Sequence, residues 1–145
     1  MTRRLYFLLA LCLVGDRSGI SGKNSPSFVV IVHPSNRFNT LRRSQIDYLF
    51  LRKVSRWPWG AEAKPIDLPV HDAIRQEFTR EVLGTSESQL ETYWIDQRST
   101  LGLVPPDVVP DAAAAKAFVA ARPGAIAYIP AAALDSRVKV VKVEP

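Results

Sequence analysis

The run Phe28-Val29-Val30-Ile31-Val32 is the segment that most narrows what this chain can become. Its apolar residues, most of them β-branched, do not alternate with polar ones, so as a strand the run needs cover on both faces. Pro26 and Pro34 bound it, and proline is poorly tolerated inside a ladder. A strand of this kind belongs inside a sheet that carries helices above and below it. The remaining sequence has to supply those helices.

It does so in order. After a Ser35-Asn36 turn, Thr40 is placed to cap a helix whose apolar positions Leu41, Ile46, Leu49 and Phe50 share one side. Trp57-Pro58-Trp59-Gly60 stops it, and Lys64 to Leu68, closed by Pro69, is a short strand. A second helix is expected from about His71 to Leu83, with Ile74, Phe78, Val82 and Leu83 as its stripe and Gly84 as its C-terminal stop. Ser86 followed by Gln89, or Ser88 followed by Glu91, opens a third helix with Leu90, Tyr93, Trp94 and Gln97 on its buried side. Pro105-Pro106 and Pro110 mark an extended connection, and Asp111 caps an alanine-rich fourth helix over 112–121 that ends at Pro123-Gly124. Strands over 125–129 and 138–143 follow, and the Val and Lys residues of the second predict one wet face. Strands separated by helices give an α/β fold, a three-layer sandwich with a small mixed sheet flanked by helices.

Ahead of this domain, Met1-Thr2-Arg3-Arg4 leads into an uncharged run from Leu5 to Val14 and a tail of small residues that includes Gly15, Ser18, Gly19, Ser21 and Gly22. Those are the three parts of a secretory signal peptide. The run is about half the roughly 20 residues that span a bilayer, so no transmembrane span is expected in the mature chain. The division is a signal peptide over 1–21 and one domain over 22–145, with a periplasmic or secreted product. Leu9-Ala10-Leu11-Cys12 resembles a lipoprotein processing box, so anchoring through Cys12 is the lesser alternative, weakened by the bulk of Leu11. With 19 Lys plus Arg against 14 Asp plus Glu the full chain carries +5; without Arg3, Arg4, Arg17 and Asp16 the balance is 16 against 13, or +3.

So small an excess argues against nucleic acid as a partner. The stretch Arg42-Arg43, Arg52-Lys53 and Arg56 reads as a solvated helix face or a surface for an anion or acidic partner. Catalytic chemistry lacks its parts. His33 and His71 are the only histidines, neither in a nucleophile motif, and Asp72 after His71 reads as a helix-dipole partner. No metal-ligand spacing, phosphate-cradling glycine loop or cofactor fingerprint occurs, and Cys12 alone cannot form a disulfide or zinc site. The expectation is a protein that is no enzyme and holds neither cofactor nor metal.

The order of several motifs says more than any one of them. Phe28 to Asn36, Ile46 to Leu51, Trp57 and Gly60, Pro65 to Pro69, Phe78, Tyr93-Trp94, and Pro123 to Pro130 together resemble the phosphate-type periplasmic substrate-binding family, from about Phe28 to Val143. The resemblance implies one lobe of a type II periplasmic-binding-protein-like fold, in which two lobes close on an anion held by hydrogen bonds. It implies a packing role for Trp57, Trp94 and Tyr128. Where larger members have an Arg and a Gly-Ser-Gly-Thr-like turn, this chain reads Asp67-Leu68-Pro69-Val70-His71-Asp72-Ala73, with Asp72 near the place of a phosphate-ligating Ser. Two carboxylates there repel phosphate. Ser35, Asn36, His71 and Arg75 remain as candidate ligand-binding residues. The leading expectation is an exported, non-enzymatic protein of the substrate-binding kind for phosphate ABC transporters, short enough that binding a small anion needs a second copy or another chain. The alternative is a ligand-free accessory module for an envelope sensor, porin or transporter.

Overall fold

The computed structural model describes residues 27–145, so the expected signal peptide, its expected cleavage site and Cys12 lie outside the described residues. Six strands and four helices follow one another as β1 Phe28–Val32, β2 Thr40–Arg42, α1 Arg43–Phe50, β3 Lys64–Asp67, α2 Ala73–Glu81, α3 Glu87–Leu101, β4 Asp107–Val108, α4 Ala112–Ala121, β5 Ala125–Pro130 and β6 Lys139–Glu144, with a single 3₁₀ turn at Ala131–Ala133. The strands form one mixed sheet in the order β2-β6-β1-β5-β3-β4. β1 runs antiparallel to both its neighbours, β5 and β6, whereas β3, β4 and β5 are mutually parallel and β2 is parallel to β6.

The apolar run at Phe28 is an inner strand, as its lack of alternation demands. β5 shows the same physics more completely: Ala125 to Ile129 are all 0% exposed. Successive residues of a strand point to opposite faces, so both faces are covered and the sheet is the middle of three layers. On one face Tyr128 stacks on Phe78 of α2 at 3.9 Å and 8°, with Phe50 of α1 and Phe28 closing the aromatic cluster. α4 packs along β5 and β1, and its small buried residues Ala115 and Val119 let the helix lie close.

Several expectations need correction. Thr40 is not a helix cap: Thr40 and Leu41 pair with Lys142 and Val143 as an edge strand, and the helix starts at Arg43, where Arg42 N–H is bonded by Gln45 Oε1 at 2.8 Å. The second helix is shorter than the stretch from His71 to Leu83, because Asp72 caps it by accepting from Ile74 N–H at 2.8 Å. Asp107 and Val108 form a two-residue strand within the extended connection. Trp94 is half-buried rather than in the core, while Trp57 and Tyr128 are core residues at 3% and 0% exposure. In β6 the adjacent Val140-Val141 breaks the alternation, so Val140 joins Lys142 and Glu144 on the wet face.

The other punctuation holds. Ser86 and Gln89 make the capping box of α3, Gly84 takes a left-handed conformation just past α2, and Asp111 caps α4 through Ala114 N–H; Gly102, not expected from the sequence, ends α3 in the same left-handed way.

Candidate functional site

Open α/β sheets bind ligands at the carboxyl ends of their parallel strands. Here the ends of β3 and β4 border a groove of about 640 Å³ between α3, the start of α2 and the 105–108 segment. Its walls include Val70, Leu90, Trp94, Ile95, Pro105, Pro106 and Val108, and its floor is polar: Asp67, Arg75 and Glu87.

The floor is a closed hydrogen-bond system. Arg75 lies in the first turn of α2, 9% exposed, and points back toward the end of β3. Its Nε and Nη2 donate to the two carboxylate oxygens of Glu87, both at 3.1 Å, a bidentate pair of the strong kind. Nη1 donates to Leu68 O at 2.8 Å and lies 3.2 Å from Asp67 Oδ2. Thr79, one turn further along α2, donates its hydroxyl to Glu87 Oε1 at 2.9 Å. The Tyr128 hydroxyl donates to Asp67 Oδ1, which also accepts from Leu68 N–H at 3.0 Å. Glu87 is the first residue of α3, so the capping box at Ser86 aims it at Arg75.

One guanidinium thus faces two carboxylates. Burial, the largest influence, pushes the Asp67 carboxyl above its ordinary range, and the nearby Arg75 and the Tyr128 hydrogen bond only partly oppose it. Burial disfavours the charged Arg75, but the hydrogen bonds it donates to Glu87 and the charge of Asp67 outweigh it, and the guanidinium is held more firmly protonated than usual. Tyr128, desolvated and beside Asp67, is raised well beyond the ordinary phenol range.

The four candidate ligand residues do not converge. Val32 pairs with Ile126, which pairs with Pro65, so the end of β1 lies level with the start of β3. Ser35 and Asn36 follow β1, while His71 and Arg75 follow β3, which places the two pairs at opposite ends of the sheet. Ser35 gives its N–H and hydroxyl to His33 Nδ1 at 3.1 and 2.7 Å. Asn36 is 3% exposed; its Oδ1 accepts from Phe38 N–H at 2.9 Å, its carbonyl accepts from Lys139 Nζ at 2.7 Å, and its Nδ2 has no partner among the described residues. His71 is exposed on the turn before α2. Of the four, Arg75 alone reaches the groove floor, where Glu87 pairs with it, and Thr79 and Tyr128 are buried behind that floor; neither Glu87 nor Thr79 is a candidate from the sequence, and Tyr128 is expected only as a packing residue.

The groove floor of Asp67, Arg75 and Glu87 holds no histidine, and among the described residues no group of three or more His, Cys, Asp or Glu is placed to share a metal ion. No helix among those residues is long and apolar enough to cross a membrane.

No family model matches the chain, and no curated relative does. Solved structures do. An ABC-type phosphate transport receptor from Vibrio cholerae superposes with a TM-score of 0.64 at 16% identity, covering 81% of this chain and 46% of that one. A putative phosphate ABC transporter substrate-binding protein with bound phosphate, from Clostridium perfringens, gives 0.65 at 21% identity, with 81% and 44% covered. PstS from Borrelia burgdorferi gives 0.63 at 9% identity, with 81% and 47% covered. This chain therefore spans less than half the length of each. Its fold is similar to part of the phosphate-receptor fold, as the order of its motifs implied, and the α/β periplasmic-binding-protein-like architecture is what the described residues build.

Proposed function

We propose that this protein is an exported, non-enzymatic lobe of the substrate-binding-protein kind whose anion site is filled by its own side chains, leaving it to act as an accessory or interaction module in the cell envelope. The observation that carries this reading is the bidentate pairing of Arg75 with Glu87, with Asp67 as a second carboxylate on the same guanidinium. A phosphate needs several fixed donors that are free to turn toward it. Here the one buried cation of the groove is already satisfied, and the Ile74 N–H at the α2 N-terminus is taken by Asp72.

A competing reading, a small anion held between this face and a second chain, draws on the position of the groove at the carboxyl ends of β3 and β4. Calorimetry with inorganic phosphate separates the two. We expect no binding tighter than roughly millimolar, which corresponds to about 4 kcal/mol. Micromolar affinity that disappears on changing His71 or Arg75, accompanied by phosphate-dependent dimerisation in sedimentation, would overturn the interaction-module reading.

A further inference from the structure

A second depression, of about 320 Å³, lies between α1 and the segment that follows it. Its walls are mostly apolar, with Phe38, Leu41, Tyr48, Leu49, Val54 and Trp57, and Gln45 adds one amide. Tyr48 and Val54 are left 47% and 42% exposed there. The deepest wall is rigid, because the Trp57 indole donates to Gly124 O at 2.9 Å and stacks on Trp59 at 5.4 Å. One cation lines the opening and a second lies beside the Tyr48 wall. Lys53 Nζ sits 5.3 Å from the centre of the Tyr48 ring and is in a loose ion pair with Asp47 Oδ2 at 4.0 Å. Arg56 lines the opening, donates one N–H to Gly60 O at 2.9 Å, and has no carboxylate within ion-pair distance among the described residues. Both cations belong to the basic stretch of Arg42-Arg43, Arg52-Lys53 and Arg56.

The volume suits a small ligand, and the chemistry narrows its class. A sugar or free phosphate needs several converging donors and acceptors, whereas here Gln45, whose Oε1 already accepts from Arg42 N–H, is the one amide side chain of the walls, and an extended peptide needs backbone partners. An apolar body with one anionic end satisfies both parts of the site, with methylenes against the aromatic walls and the charge between Lys53 and Arg56. We propose that this pocket binds a small anionic amphiphile, a monomeric medium-chain carboxylate.

The tryptophan wall supplies the readout. In a Trp94→Phe background, which removes the indole of the other groove, fluorescence is titrated with decanoate below its micelle concentration, with decanol and decyltrimethylammonium in parallel. A saturable change with decanoate, weaker by about tenfold or more with the ammonium compound, is expected. Arg56→Gln combined with Lys53→Gln should weaken decanoate by a similar factor and leave decanol unchanged. Both side chains are exposed, so folding should survive; Val54→Glu, which puts a like charge at the mouth, is the second variant. No saturable change, equal response to the cationic amphiphile, or indifference to these substitutions would overturn the proposal. So would co-sedimentation with phosphatidylglycerol vesicles in the absence of any monomer binding, because it would make the patch a membrane-surface contact instead.

Discussion

At the scale of the residue, Asp67 is the group with most at stake. It is buried against Tyr128 and shares Arg75 with Glu87, so ionising it places a second negative charge beside a guanidinium that already has a bidentate partner. Its pKa lies above the ordinary 3.8. A raised carboxylate favours the folded state most when protonated: the contribution is present below the unfolded value and is lost as pH rises through the folded one. Thermal melts of the protein and of Asp67→Asn from acid pH to neutrality should therefore show the protein's advantage over the variant shrinking as pH rises. A difference that stays constant over that range would mean Asp67 is not perturbed in this way. Glu87 was invisible beforehand for a related reason. Spacing along the chain does not connect residues 67, 75, 87 and 128; only the folded sheet and the turn between α2 and α3 do.

At the scale of the element, local chemistry and long-range pairing divide what could be read from the sequence. Caps and stops were legible because they depend on neighbours a few positions away: Ser86 with Gln89, Asp111 with Ala114 N–H, and Gly84. The misread elements are those whose partners are distant. β2 and β4 are three and two residues long and exist only because β6 and β3 lie beside them, and no periodicity can show in so short a run. The strand read at Lys64 starts where Gly124 meets it: Gly124 O accepts from Lys64 N–H and from the Trp57 indole, both at 2.9 Å. A Cβ at Gly124 would run into the Glu62 carbonyl oxygen, which belongs to backbone and cannot rotate aside. Gly124→Ala should cost about 2 kcal/mol in urea unfolding, in the range of overpacking changes. A loss below a few tenths would show that the two segments separate easily.

At the scale of the whole molecule, the described residues and the basic, apolar, small-residue opening of the sequence make separate claims. The fold comes with its neighbours, whereas export rests on residues 1–21 alone. Fractionating cells that express the full sequence and measuring the intact mass should place the product outside the cytoplasm with its N-terminus near Gly22. A cytoplasmic product that keeps Met1 would refute the signal-peptide assignment. That test also bears on the groove, since an accessory role in the envelope requires the protein to be there.

The sheet order carries a kinetic consequence. β6, the most C-terminal strand described, lies between β1 and β2, the two most N-terminal, and the contact from Lys139 to Asn36 joins positions 103 apart. Among the described residues no adjacent pair of strands in sequence makes a hairpin that could fold first, so the central ladders wait on encounters between distant positions. Such topologies close slowly. A polypeptide that cannot close this sheet until β6 has been made stays threadable while β1 to β5 are being synthesised.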